Sequence, residues 1–210
     1  MKKIISGFLV VIMLVSTVAF SGCSEPEETA IESAEMALKV YFSALNGFNI
    51  EAMRDCVEGE DENDVGFSTE NISESYVQTN KYKSSVENMY RALSKTIEFK
   101  IESIEEIDEN KMAFNVNIKF PNIEEERMIE FTNAKVDEYI MANPDFVYLN
   151  EIEQNNVAIK VMADAYSEYL QITEKSESNF NIILSKESGD WKVHTKDNQE
   201  FFEFLAVLFG

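Results

Sequence analysis

Hydrophobic positions along the chain change period several times, and each change marks an element. Ile31, Ala34, Leu38, Tyr41, Phe42 and Leu45 share one face of a 3.6-residue repeat. Thr29-x-x-Glu32 opens this run as a capping box, and Gly47 closes it. Asn49 can cap a short second helix in which Met53, Cys56 and Val57 face one way, with Phe48 placed to staple onto Met53. Ser84-x-x-Glu87 predicts the start of a third helix with Val86, Met89, Tyr90 and Leu93 inward. The period then falls to two. Ile97, Phe99 and Ile101 alternate with charged residues, the chain turns through Asp108-Glu109-Asn110, and Met112, Phe114, Val116, Ile118 and Phe120 alternate again until Pro121. That is a hairpin with one dry and one wet face.

Two helices are expected next, over 122–142 and from Pro144 to about Ile172, the proline sitting in a first turn. A second hairpin carries Phe180, Ile182 and Leu184, turns at Ser188-Gly189-Asp190 and returns through Trp191 and Val193. Asn198 is placed to cap a final helix whose Phe201, Phe202, Leu205, Leu208 and Phe209 call for burial. The expected fold is α+β. N-terminal helices pack on one face of a curved antiparallel sheet of about four strands, a two-helix insertion separates the hairpins, and a short helix ends the chain.

Composition narrows the function. The chain has 210 residues with 18 Lys+Arg against 39 Asp+Glu, a net charge of −21. Nucleic acid is therefore not an expected partner, since binding it non-specifically needs a basic face that releases counterions. One histidine and two cysteines leave no His–His or cysteine-rich metal motif. No glycine-rich phosphate loop occurs, so no cofactor and no metal are expected. Glu58 to Asp64 is an acidic stretch, and Asp61 to Gly66 imitates the start of a calcium loop. Ile72 stands where that loop needs its bidentate glutamate, so a solvated loop is the better reading.

The N-terminus carries an address. Lys2 and Lys3 precede an unbroken apolar run, Phe8 to Val15, and small residues lead to Phe20-Ser21-Gly22-Cys23. The apolar stretch from Ile4 to Phe20 falls short of the about 20 residues that a membrane span needs. A cysteine directly after Ser-Gly resembles the lipobox of bacterial lipoproteins, with Phe20 where that family usually has an aliphatic residue. The resemblance implies that residues 1–22 are a cleaved signal peptide and that Cys23 is lipidated. Residues 23–28 then form a short tether, and 29–210 a single α+β domain on the outer face of the bacterial cytoplasmic membrane. Loss of Lys2 and Lys3 makes the mature chain still more acidic than the full sequence. Attachment must then come from acyl chains rather than from attraction to anionic lipid. Cys56 would be the remaining thiol, and a small buried residue on a helix is its simplest role.

Three segments together resemble one fold family. They are VYFSALNGFNIEAM at 40–53, MAFNVNIKF at 112–120, and Gly189-Asp190-Trp191-Lys192-Val193. Nuclear-transport-factor-2-like (cystatin-like) cone domains of Gram-positive lipoproteins place a similar helix end before a curved sheet that closes on a Trp-Lys-Val strand. The resemblance implies a cone between sheet and helices, here lined by Tyr41, Phe99, Phe114, Phe180 and Trp191. The inner strand positions are almost all apolar, so a filled core is favoured over a pocket, and no catalytic residue is assigned. A Ser-His-Asp arrangement would have to run through His194, whose strand parity sets it on the wet face.

Three functional classes remain. The first is a membrane-anchored, non-catalytic binding module for a protein, peptide, wall fragment or small apolar ligand. The second is a small cone-fold enzyme of the isomerase or dehydratase kind, which would need Tyr41, Tyr90 or Tyr166 inside a cavity. The third is a structural accessory of an envelope complex, with the Phe-rich final helix at an interface.

Overall fold

The computed structural model describes residues 29–58 and 80–209. The lipobox with Cys23, the acidic stretch beyond Glu58 and the calcium-like segment lie outside these. Helix α1 spans Ala30–Asn46 and is closed at its start by the expected capping box. Thr29 Oγ1 accepts from Glu32 N at 3.2 Å, and the Glu32 carboxylate accepts from Thr29 N at 3.1 Å. Helix α2 spans Ile50–Asp55, with Asn49 Oδ1 accepting from Ala52 N at 3.2 Å. Strand β1, Val57–Glu58, follows at once. Helix α3 is Asn80–Thr96, beginning upstream of the start that the Ser84 box predicts.

Strands β2 (Glu98–Asp108) and β3 (Lys111–Pro121) form the first hairpin. Helix α4 is Glu125–Ala142, beginning three residues later than expected. The single helix predicted from Pro144 divides into a 3-10 turn, Pro144–Tyr148, and helix α5, Glu151–Ile172. Asn150 and Glu153 make their own capping box there, at 3.0 and 3.2 Å, and so set a new helix start. Strands β4 (Lys175–Glu187) and β5 (Asp190–His194), a 3-10 turn (Thr195–Asn198) and helix α6 (Gln199–Phe209) complete the chain.

The sheet has five strands rather than about four, in the order β1-β5-β4-β3-β2. The extra strand is β1, which pairs parallel to β5 through Val57 and Val193. Val57 therefore leaves the helical face assigned to it and adds an edge, with Cys56 C=O accepting from Val193 N at 2.9 Å. The other pairs are antiparallel, and β2 slips register between Ile101 and Ser103, which keeps Ile104 on the inner face opposite Phe114. Between β4 and β5 the loop is two residues, Ser188 and Gly189, both at positive φ (52° and 102°). These dihedral signs match a type I′ turn, whose twist suits a hairpin.

The inner face of the sheet meets α1 and α6. Tyr41, Phe42, Phe114, Phe201 and Leu205 are fully buried or within one per cent of it. Leu93 of α3 and Leu170 of α5 join the same core. On the final helix Phe201, Phe202, Leu205 and Phe209 all turn inward.

Candidate functional site

The five residues expected to line a cone are brought together, as core. Phe42 stacks on Phe99 with ring centroids 4.1 Å apart, and Phe201 packs edge-on against Tyr41, Phe42 and Phe180 at 5.6–6.1 Å. Phe114 is wholly buried, Phe180 and Trp191 nearly so, and Phe99 is half-buried. The α6 aromatics fill the space between α1 and the sheet. The Tyr41 hydroxyl is sealed from solvent and has no hydrogen-bond partner among the described residues. Burial holds its phenol far above the usual range. Tyr166 of α5, next to Tyr90 of α3, is likewise pushed up to about 12 by burial. The Cys56 thiol is also raised, mainly by burial and then by Asp55, which suits packing better than nucleophilic chemistry.

His194 gains a carboxylate that the sequence does not place beside it. Asp197 Oδ2 lies 3.5 Å from His194 Nδ1 and 2.8 Å from Lys111 Nζ. Ser185 shares the outer face one register step away, opposite Lys192. The Ser185 Oγ is sealed from solvent, where a nucleophile must meet its substrate. The same turn is fastened by Asn198, whose side-chain amide bonds Ile183 N, Ile183 O and His194 O, each at 2.7 Å. Asn198 therefore does not cap α6. It occupies the place that one more residue of β5 would take beside β4, and Asp197 with Lys111 anchors the turn to β3.

Outside the core, the described residues leave open space that includes two grooves. One, of about 630 Å³, sits where α1 turns into α2, between Val40, Gly47, Ile50 and Arg91. Its polar groups are engaged in structure, because Arg91 Nη1 donates to Gly47 O at 2.7 Å and Asn49 caps α2. The other, of about 390 Å³, lies between α3 and α5 and is lined by Ser and Asn side chains together with Val157, Ala163, Lys160 and Asp164. Neither groove is lined by a residue expected for the cone, and sequence reading pointed to neither. Among the described residues no group of three or more His, Cys, Asp or Glu side chains could hold a metal ion.

The geometry defines an open, five-stranded α+β sheet with its helical side filled. The crystal structure of YcdA, a candidate lipoprotein from Bacillus subtilis, has a similar fold, with a TM-score of 0.52 and 16% sequence identity. The match covers 82% of this chain and 54% of that one, so the chain spans about half that protein's length, and the likeness is one of fold. No family model and no curated protein sequence matches the chain. No helix of the described residues is long and apolar enough to cross a membrane.

Proposed function

We propose that this chain is an extracytoplasmic lipoprotein, held to the outer face of the bacterial cytoplasmic membrane through Cys23, whose α+β domain is a non-catalytic binding module. Lys2, Lys3, the apolar run and Gly22-Cys23 support the anchor, and the fold shared with a candidate lipoprotein agrees with it. The observation that carries the binding reading is the filled aromatic core. With Phe201 and Phe42 occupying the space that a cone-fold enzyme keeps for substrate, recognition moves to the outer grooves. The domain is read as a nuclear-transport-factor-2-like cone that has closed on its own side chains.

The anchor is tested by expressing the full chain and Cys23→Ala in a bacterial host and partitioning both between detergent and aqueous phases. The parent is expected in the detergent phase, with a mass gain at Cys23, and the variant in the aqueous phase. A parent that stays aqueous, or a variant that stays with the membrane, refutes the anchor.

One observation favours the accessory-subunit reading as second choice. The turn joining α4 to α5 exposes Met141, Val147, Tyr148 and Ile152, each by more than 60%. Helix α6 turns its phenylalanines inward, so an assembly contact would use this tip instead. A native-gel complex from membranes that dissolves with Met141→Lys plus Tyr148→Lys supports this reading, and one unaffected by them removes it.

A further inference from the structure

Resting on the binding-module reading, we infer that the groove between α3 and α5 is a site for a neutral polyhydroxylated ligand, a sugar or a short glycan. The two helices lie side by side, and along part of their length they pack as a stability-driven pair should. Leu93 and Leu170 are 2% exposed, and Tyr90 neighbours Tyr166. Toward Ser84 the character changes. Ser84, Ser85 and Asn88 of α3 face Asn156, Asp164 and Ser167 of α5 across an open volume of about 390 Å³. Two helices that needed only to pack would fill such a gap with apolar side chains. Here the gap is left open, and serine and asparagine side chains share its walls with Val157 and Ala163.

Asn156 supplies the second observation. Its Oδ1 is buried and has no hydrogen-bond partner among the described residues. An unmade hydrogen bond at a buried acceptor is costly, so the atom calls for a donor. The other groups narrow the donor's identity. Serine hydroxyls and asparagine amides both donate and accept, as sugar hydroxyls do. Lys160 pairs with Asp164 at 2.6 Å, leaving the rim electrically balanced. A chain of net charge −21 disfavours an anionic ligand, and the rim carries no surplus carboxylate to hold a cation. The volume is in the range of small-molecule sites and suits one or two hexose rings.

The test is saturation-transfer NMR on the full chain in phosphatidylcholine nanodiscs, with glucose, maltose, maltopentaose and glucose 6-phosphate as probes. Saturable transfer from the protein to the neutral sugars is expected, with glucose 6-phosphate weaker than glucose. A preference for maltopentaose over glucose identifies a glycan strand, and equal binding identifies a free sugar; both support the site. Asn156→Leu is expected to weaken binding by about tenfold, the worth of one well-formed hydrogen bond. Trp191 fluorescence reports whether the variant is folded, and Asn88→Leu serves in its place if it is not. No saturable transfer to any neutral sugar, stronger binding of glucose 6-phosphate, or unchanged binding in a folded variant overturns the inference. Phase partition of Cys23→Ala is read separately, so failure here leaves the anchored-module reading standing.

Discussion

Asn198 gives the sharpest test of how the sheet is held together. Strand β5 pairs with β4 only from Leu184 to Glu187, after which the chain leaves the sheet in the Thr195–Asn198 turn. The polar backbone of Ile183 would then face away from any ladder. Asn198, 3% exposed, supplies the missing peptide, accepting from Ile183 N and donating to Ile183 O and His194 O at 2.7 Å each. Asn198→Ala strips the partner from all three backbone groups. At about 1 kcal/mol net for each bond, and with water entering part of the vacated space, the loss should be about 3 kcal/mol. That is a large fraction of the roughly 5–15 kcal/mol that stabilises a domain.

Asn198→Asp sharpens the test, because the shape is kept while the NH2 that donates to both Ile183 O and His194 O is replaced by oxygen. Ionised, the carboxylate can still accept from Ile183 N, but its second oxygen meets two carbonyls. Protonated, it donates to one of them. Burial and the facing carbonyl dipoles therefore raise this carboxyl above its unfolded value of about 3.9. A raised folded value means that the proton-linked stability is fully present below the unfolded value and lost as pH rises through the folded one. The variant should approach the parent in mild acid and fall below Asn198→Ala at neutral pH. Urea unfolding read by Trp191, the single tryptophan and 6% exposed, measures both variants against the parent at each pH. An alanine cost below about 1 kcal/mol, or an aspartate-to-alanine gap that does not move with pH, would refute the strand-substitute role.

The remaining predictions use the same readout. Gly189, at φ 102°, should lose about 1 kcal/mol as Gly189→Ala, whereas Ser188→Gly at φ 52° should gain a few tenths; a raised urea midpoint for Gly189→Ala contradicts the I′ assignment. Phe42→Ala removes a fully buried ring from its stack on Phe99 and should cost about 3–5 kcal/mol, more than Phe99→Ala at its half-exposed partner position. Glu98 and Glu177 are held below the usual carboxylate range, chiefly by hydrogen bonds from Lys175 and Lys119. Their stabilising effect is present above the ordinary glutamate value of about 4.3 and fades as pH falls through their folded values. Glu177→Gln should accordingly flatten the acid limb of the stability profile, and an unchanged limb would show that the Lys119 pair adds nothing.

Long periodic segments were legible because their burial is a property of one element. Ala34, Leu38, Tyr41, Phe42 and Leu45 read as a helical stripe, Met112, Phe114, Val116 and Ile118 as a strand face, and all are buried. Features that depend on two elements were not legible. Strand β1 is two residues long, too short to show a period. Val57 follows Met53 by four residues and so passes for a helical position until Val193 is seen beside it. Asn198 precedes an apolar run, where an asparagine usually caps. Only the early departure of β5 from β4 reveals that its amide serves the sheet. The capping box at Asn150 and Glu153 was written in the chain, but the preceding Pro144 offered an earlier start.

The same logic explains why the proposed site was hidden while the core was not. A serine or asparagine on a helix reads as a solvent-facing residue, and nothing in the period of α3 or α5 alone says otherwise. What turns Ser84, Asn88 and Asn156 toward one another is the docking of the two helices, fixed elsewhere by Leu93, Tyr90, Tyr166 and Leu170. Because that apolar half holds the pair together, the polar half is free of packing duty and its gap can persist. The core shows the reverse arrangement. Phe201 and its neighbours from α6 seal the space under the sheet, so the aromatic core and the proposed groove draw on different residues. A substitution in the α3–α5 groove should therefore alter ligand binding with little change in the urea midpoint, whereas one in the aromatic core should do the opposite.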